Sequence, residues 1–208
     1  GSKVVLMDGR LNSTGHRPYP SFYWVDRGSE EPDRGQYDQL EQVESLTGCA
    51  VLLRRSALEQ VGFFDEDFVM YMEDVDLALR LQQRGWTLCY VPTSVVHHVL
   101  HGTPGERSAE EHTERNRLLL IAKHYPGKLV DALYGRGYWA YPKQPQPGSL
   151  LRLMPVLLDK LVKHHGPKRA AAIIRGLFDE LHRVQQYELD MLLRHDVAQR
   201  VQLRQQLE

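Results

Sequence analysis

Segments with strand-like and helix-like hydrophobic spacing alternate along the first 126 residues, and this alternation constrains the fold more than any other feature. Short apolar runs between turn residues predict strands, and apolar residues at intervals of three or four predict helices. The predicted strands are Lys3–Met7, Ser21–Val25, Thr47–Leu53, Trp86–Val91 and Ser94–Leu100, with loops expected over 8–20 and 26–46. The predicted helices are Ala57–Val61 capped by Ser56, a helix from Asp74 to a stop at Gly85, and Glu106–Tyr125. Such alternation indicates an α/β layer fold.

The composition is that of an ordinary globular protein and excludes several other classes. Of 208 residues, 42% are hydrophobic and 25% are charged, which excludes a disordered chain. A formal net charge of −1 gives no basic footprint for a nucleic acid. Cys49 and Cys89 lie in apolar runs, so we expect buried free thiols in a reducing compartment, which indicates a cytoplasmic protein.

Proline-rich sequence divides the chain into three predicted parts. They are an α/β domain over 1–137, a linker over 138–148 and a helical tail over 149–208. The tail combines apolar stripes at helical spacing with a small excess of bases. It either packs on the α/β domain or lies weakly on an anionic membrane, so peripheral contact with the inner face of a membrane stays open as an alternative.

The densest acidic cluster beside apolar sequence is Glu73, Asp74 and Asp76, at the predicted start of a helix. Asp74 can cap this helix, and a carboxylate held in a first turn can also act as a general base in a cleft. The two roles are compatible because a capping carboxylate is held rigidly. The run Asp65-Glu66-Asp67 has a D-x-D spacing suited to a divalent ion on a diphosphate, but so short a match favours solvated loop acids.

Histidines and arginines form two further candidate clusters. His97, His98 and His101 give the pattern H-H-x-x-H, yet neighbours on a strand face opposite sides. A single histidine ligand is therefore favoured over a closed zinc site. Arg115 and Arg117 lie in the predicted helix over 106–125, where they form either a solvated face or a pair that neutralises a diphosphate.

Taken in order, the motifs of residues 47–98 resemble the acceptor-side half of a family 2 glycosyltransferase of the rhamnosyltransferase-like bacterial group. The residues that carry the resemblance are Thr47-Gly48-Cys49-Ala50, Leu53-Arg54-Arg55, Val61-Gly62-Phe63-Phe64-Asp65-Glu66, Met70-Tyr71-Met72-Glu73-Asp74-Val75-Asp76-Leu77, Arg80, Gly85-Trp86, Val91-Pro92 and His98. Arg115-Asn116-Arg117 and Lys123-His124-Tyr125-Pro126 extend it. The resemblance covers residues 3–126, and its specificity comes from order and spacing together.

The resemblance implies a fold and a reaction. The fold is the C-terminal half of a GT-A type glycosyltransferase domain, over 1–137, followed by the helical tail. The reaction is an inverting transfer of a sugar from a nucleotide-sugar donor to a glycan or lipid-linked acceptor, in bacterial cell-wall or surface polysaccharide biosynthesis. Asp74, beside Glu73, falls on the position of the base that deprotonates the acceptor hydroxyl.

The same resemblance assigns further site residues. Those expected on the acceptor side are Thr47, Gly48, Asp65 and Glu66. His98 falls on a histidine ligand of the divalent cation, Mg²⁺ or Mn²⁺, that stabilises the leaving diphosphate. Arg115 and Arg117 are expected near that diphosphate.

The nucleotide-binding half that opens domains of this family has no counterpart in the sequence. We therefore expect the C-terminal part of a larger enzyme, which alone neither binds a nucleotide sugar tightly nor transfers from one. Without that half, the predicted strand Thr47–Leu53 has an unpaired edge, so we also expect self-association, by pairing at this edge or through the helical tail. The alternatives are a non-catalytic binding or assembly module that acts through the helical tail, and a histidine-based zinc protein.

Overall fold

The computed structural model describes residues 1–19, 22–99, 109–134 and 147–180, together with 182, 183 and 186. The chain divides into two compact units, Gly1–Leu157 and Leu158–Glu208. Of the predicted linker over 138–148, residues up to 146 lie outside the described part, and residues 147 and 148 begin a helix. The predicted tail beyond residue 186 also lies outside it.

The first unit contains a mixed four-stranded sheet in the order β2-β1-β6-β5. Its strands are β1 (Ser2–Leu6), β2 (Leu11–Ser13), β5 (Glu41–Gln42) and β6 (Cys89–His98). Strand β6 runs parallel to β1, whereas β2 and β5 pair antiparallel with their neighbours. A separate hairpin joins β3 (His16–Tyr19) to β4 (Tyr23–Asp26). The sheet and its helices confirm the α/β class, although β2, β3 and β5 fall where loops were expected.

Strand β6 replaces two predicted strands with one. The predicted break at Pro92 was wrong, because β6 continues through this residue. The pairing with β1 is nevertheless irregular there, since the register shifts. Ser2 is opposite Val91, whereas Lys3 is opposite Val95. Proline lacks the N–H that a ladder needs, so a strand tolerates it at such a bulge.

The segment Thr47–Leu53 is not a strand, which corrects the sequence prediction. Val51 and Leu53 pack against the core, while Leu52 between them is 95% exposed. Side chains over 51–53 therefore alternate between the core and solvent, as in an extended chain with one buried face. The segment nevertheless does not pair with a strand through backbone hydrogen bonds. Since there is no strand, the unpaired edge that motivated the prediction of self-association is absent as well.

The described helices are α1 (Arg55–Val61), α2 (Glu73–Gln83), α3 (Ala109–His124), α4 (Leu129–Tyr134), α5 (Pro147–His165) and α6 (167–180), with 3-10 turns at Glu66–Phe68 and Pro126–Lys128. Helix α1 starts after Arg54 with no side-chain cap, so the predicted cap at Ser56 was wrong. Its end at Gly62 is as predicted, because φ is +82° there and glycine adopts that conformation without strain.

The core that positions the first residues of α2 lies between α1, α2 and the strand connections. Its buried members are Leu46, Ala57, Leu77, Ala78, Leu81 and Leu88. Helix α3 is buried without interruption over residues 118–122. Cys49 and Cys89 are both exposed, which corrects the prediction of buried thiols.

The second unit is a helical hairpin within the described residues. Helix α5 ends at Gly166, which has φ of +78°, and α6 starts with Pro167 in its first turn. Among the residues that the structure describes, no helix combines the length and apolarity needed to cross a membrane.

Candidate active site

The loop that leads into α2 holds three non-glycine residues in the left-handed region. Val69, Tyr71 and Met72 have φ values of +61°, +71° and +67°. Each such residue costs about 1–3 kcal/mol and persists only where its surroundings impose the conformation. Met72 immediately precedes Glu73, the first residue of α2, so the strained loop determines where the acidic first turn of that helix lies.

A buried amide on α3 supports this loop. Nδ2 of Asn116, which is fully buried, donates to the carbonyl oxygens of Phe68, Met70 and Tyr71 at 2.6–2.7 Å. The carbonyl groups of the loop are thereby paired with a side chain instead of with water. The sequence placed Asn116 in a motif of the resemblance but gave no sign of this role, since its partners lie at least 45 positions away.

The Asp74 carboxylate is fixed by two backbone N–H groups. Oδ2 accepts from Gly48 N at 2.8 Å, and Oδ1 accepts from Val75 N at 2.8 Å. Asp74 lies inside the first turn of α2 and Met72 is the N-cap, so the predicted capping position was off by two residues. An ionised carboxylate offers about four acceptor sites, so two remain for a hydroxyl group.

An apolar cavity borders this carboxylate. Its lining residues are Leu46, Val51, Leu53, Phe64, Asp74, Leu77, Ala78, Leu81 and Leu88, among which Asp74 is the one polar side chain. A carboxylate beside apolar walls is less screened by water than one on an open surface, so its charge acts more strongly on a nearby group.

Glu73 lies next to Asp74 and is half-buried. Burial raises the pKa of Glu73 by more than a hydrogen bond from its own backbone N–H lowers it; of the smaller effects, the charge of Asp74 adds to the rise and that of His16 opposes it. Its Oε2 atom is buried without a hydrogen-bond partner among the described residues. The site therefore pairs one firmly held carboxylate with one that holds a proton more readily.

His16 is a member of the site that the sequence analysis missed. Its ring, 10% exposed, shares a hydrogen bond of 3.1 Å with Ser45 Oγ, and its Nε2 lies 3.2 Å from Asp26 Oδ1. Burial opposes its charged form, but Asp26 and the charges of Asp74 and Glu73 outweigh burial and raise the pKa of His16. A histidine at the start of a strand carries no local signal for this role.

Asp76 organises the reverse side of the same turn. It is completely buried and bonds to Arg80 at 2.8 Å, to Lys123 at 2.8 Å and to Nε2 of His124 at 2.7 Å. Burial alone would raise the pKa of Asp76, but His124 together with the charges of Lys123 and Arg80 lowers it. This network ties α2 to α3.

Three of the predicted acceptor-side residues occupy different environments. Asp65 accepts from Asp67 N at 3.2 Å and pairs with Lys123 at 2.8 Å, so its carboxylate belongs to the network around Asp76. Glu66 is exposed. Thr47 donates to Cys49 Sγ at 3.3 Å. Only the fourth, Gly48, contacts Asp74 directly, so the structure brings together Gly48, Glu73 and Asp74 from the predicted set.

The two predicted diphosphate-binding arginines contact the protein itself. Arg115 donates to the carbonyl of Asp67 at 2.6 Å, within the segment that precedes the strained loop. Arg117 is 2% exposed, binds Glu114 at 2.9 Å and lies over the ring of Tyr23. Both guanidinium groups thus hold backbone and side chains in place, and their contact with a diphosphate stays a prediction.

His98 ends β6, and its Nδ1 donates to Oδ1 of Asn12 at 2.7 Å. Within the described ranges, no group of three or more His, Cys, Asp or Glu side chains is arranged to hold a metal ion. The role of His98 as a cation ligand and the histidine-based zinc alternative stay predictions.

Part of the chain, including most of these residues, is similar to known proteins. Residues 31–122 match the family described as Glycosyl transferase family group 2. Over this segment the chain is similar to the family 2 glycosyltransferases. It contains Gly48, Glu73, Asp74 and Asn116, whereas His16 precedes it. The mixed α/β architecture of the family 2 segment fits a GT-A glycosyltransferase domain.

Bacterial relatives agree with this assignment. The chain is 44% identical over 132 residues to an N-acetylglucosaminyl-diphospho-decaprenol L-rhamnosyltransferase of Mycobacterium tuberculosis, over 63% of this chain and 40% of the relative. It is 34% identical over 106 residues to the O-antigen biosynthesis protein RfbC of Myxococcus xanthus, over 47% of this chain and 8% of that protein. It is 41% identical over 59 residues to the rhamnosyltransferase WbbL of Escherichia coli, over 28% and 22% of the two chains. The chain thus spans 40% of the length of the mycobacterial relative.

Proposed function

We propose that this chain supplies the acceptor-side half of a GT-A type domain in an inverting glycosyltransferase, with Asp74 as the general base. The observation that carries the proposal is the Asp74 carboxylate, fixed by the N–H groups of Gly48 and Val75 within the family 2 segment. A general base must be held within reach of the proton that it removes, and a carboxylate anchored by two backbone groups meets that requirement.

The proposed substrates follow from the names of the relatives. The mycobacterial relative transfers L-rhamnose to N-acetylglucosaminyl-diphospho-decaprenol, by its name. We propose a nucleotide-activated rhamnose as donor and a lipid-linked glycan as acceptor, in bacterial cell-wall or surface polysaccharide synthesis. A lipid-linked acceptor places the work of the protein at a membrane surface, on the cytoplasmic side.

The proposed reaction is one displacement at the anomeric carbon. Asp74 takes the proton of the acceptor hydroxyl while the hydroxyl oxygen forms its bond to that carbon. The bond from the anomeric carbon to the diphosphate oxygen breaks on the opposite face, and the nucleoside diphosphate leaves with the electron pair. The configuration at the anomeric carbon inverts, and the proton stays on Asp74 until solvent removes it.

Neighbouring residues have supporting roles in this proposal. Glu73, half-buried beside Asp74, remains a proposed catalytic residue. Thr47, Asp65 and Glu66 remain proposed acceptor-side residues. The dependence on Mg²⁺ or Mn²⁺ stays a prediction, and the steps above do not use a metal ion.

The test compares two carboxylate-to-amide changes in the full-length protein. Asp74→Asn keeps the shape of the side chain but removes the basic oxygen, and general-base catalysis contributes about 10²–10⁴-fold. We expect turnover to fall at least about a hundredfold with donor affinity little changed. Glu59→Gln on α1 is the matched control, because Glu59 is exposed and its carboxylate pairs with Arg55 one helical turn away.

Asp76→Asn is unsuitable as a control, because that carboxylate is buried among Arg80, Lys123 and His124 and its loss disturbs the fold. Turnover is measured as rhamnose transferred to a lipid-linked acceptor, and thermal melts report folding. Full turnover in Asp74→Asn, or a loss that merely follows a lower melting temperature, would refute the assignment of the base.

A further inference from the structure

His16 links the hairpin of β3 and β4 to the segment 45–48, which carries one of the two N–H groups that hold Asp74. The backbone N–H of His16 donates to the carbonyl oxygen of Ser45 at 2.8 Å, and Nδ1 of its ring shares a hydrogen bond of 3.1 Å with Ser45 Oγ. At the other end of the segment, the Gly48 N–H donates to Oδ2 of Asp74 at 2.8 Å. The histidine thus contacts one end of a short segment whose other end holds the carboxylate.

The hairpin approaches this segment closely. Gly15 precedes His16 at a φ of +109°, and a Cβ atom there would lie 3.0 Å from the carbonyl oxygen of Ser45, so glycine permits the approach. Ser45 is completely buried, and water therefore does not compete with the imidazole for its hydroxyl group. A hydrogen bond in such an interior is electrostatically stronger than one on an open surface. The contact between the ring and Ser45 is therefore suited to holding the segment in place.

Asp26 holds the opposite side of the ring. It is the partner of His16 across the hairpin, and its Oδ1 lies 3.2 Å from Nε2. No aligned hydrogen bond reaches this oxygen from the described residues, so the contact is that of an ion pair. The carboxylate favours a proton on Nε2, which leaves Nδ1 for the hydroxyl group of Ser45. That second contact persists in both protonation states of the ring, because a hydroxyl group donates as well as accepts.

We propose that His16 is a positioning residue for the base: held by Asp26, its ring fixes Ser45 and thereby keeps the Gly48 N–H on the Asp74 carboxylate. This inference deepens the proposed function and rests on it, because the contact matters for turnover only if Asp74 removes the acceptor proton. Without the Gly48 donor, the carboxylate keeps one of its two backbone hydrogen bonds and is less firmly oriented. A displacement of about 1 Å at a reacting group costs about 10²-fold in rate.

The experiment compares two amide replacements of His16 in the full-length protein. In His16→Asn the amide nitrogen falls near the position of Nδ1 and keeps a donor for Ser45, whereas in His16→Gln it falls near Nε2 and keeps a donor for Asp26. We expect His16→Gln to lower kcat at least about tenfold with KM little changed, and His16→Asn to retain most of the activity. Hydrogen exchange of the Gly48 amide should rise in His16→Gln but not in His16→Asn. His182→Gln, exposed in the second unit, is the matched control and should change neither quantity.

Both replacements remove the titrating ring, so an effect of its charge on the site would lower the two activities alike. Ser45→Ala supplies a second variant that leaves His16 intact but removes the hydroxyl partner. It should lower kcat by about the same factor as His16→Gln, and the double variant should lose no more than either single one. Equal losses in His16→Asn and His16→Gln, or a loss in His16→Gln with unchanged exchange at Gly48, would overturn the proposal.

Coupling to Asp74 separates failure of this inference from failure of the assigned base. In the Asp74→Asn background, His16→Gln should lower turnover no further, because a residue that acts through the base has no effect once the base is lost. Thermal melts confirm that each variant is folded. If Asp74→Asn loses turnover but His16→Gln lowers it by the same factor in both backgrounds, the base stands and the positioning role is wrong. Full turnover in Asp74→Asn refutes the base and the positioning role together.

Discussion

Replacing Asn116 with alanine removes one buried amide that supports three carbonyl groups of the loop before α2. A hydrogen bond contributes about 0.5–1.5 kcal/mol net, and two Nδ2 protons serve these carbonyls, so the loss is about 1–3 kcal/mol. The strain at any one of Val69, Tyr71 and Met72 is of the same size, about 1–3 kcal/mol. Once the amide is removed, the strain released by relaxing one of these residues is therefore about as large as the hydrogen-bond free energy that is lost.

We expect Asn116→Ala to lower the free energy of unfolding by about 1–3 kcal/mol and to release residues 68–72 locally. Urea unfolding gives the first quantity, and hydrogen exchange of the amides from 68 to 76 gives the second. Because α2 begins directly after this loop, exchange should also rise at Val75, whose N–H is bonded to Asp74 in the intact site.

The matched control is Gln82→Ala. Gln82 is a half-buried amide side chain that donates to one carbonyl, Glu44 O, at 2.9 Å. Its removal should cost no more than about 1 kcal/mol and leave exchange in the loop as it was. If Asn116→Ala behaves like this control in both measurements, the loop holds its conformation without Asn116, and the argument from stored strain is wrong.

Two further predictions concern backbone strain and pH. Val69→Gly should preserve or raise the melting temperature, because Val69 is 75% exposed and held at φ of +61°, where glycine is unstrained; Val95→Gly, exposed on a strand, should lower it. His16 has a raised pKa when folded, so it stabilises the protein below its unfolded pKa of about 6.5, and this contribution is lost as pH rises through the folded value. His16→Gln should therefore flatten the fall in melting temperature over that window, and an unchanged pH profile would contradict the assigned contacts.

The helices could be predicted because their signals are local. The spacing of Val75, Leu77 and Leu81 lies within a single element, and Gly62 marks the end of α1 by its own conformational freedom. The acidic first turn of α2 was also visible, so Asp74 could be singled out before its contacts were known. Its position relative to the N-cap could not, since Met72 takes that place only through a strained backbone.

What the sequence did not predict depends on contacts between distant residues. His16 contacts Ser45 across 29 positions, and Asn116 contacts Phe68 across 48. The run Thr47–Leu53 has the apolar length of a buried strand, but pairing needs a neighbour that the sequence does not specify, and the described strands pair with one another instead. The resemblance assigned Arg117 to a diphosphate, whereas its contact with Glu114 in the structure involves only one of many charges on the same helix.

The support of the loop by Asn116 has a consequence for synthesis of the chain. Tyr71 leaves the ribosome 45 residues before the amide that holds its carbonyl. At about 5–20 residues per second, the segment around Asp74 waits about 2–9 s before α3 is available to fold against it. During that interval the nascent chain carries the carboxylate without the geometry that fixes it, so the site is assembled only when the later helix arrives.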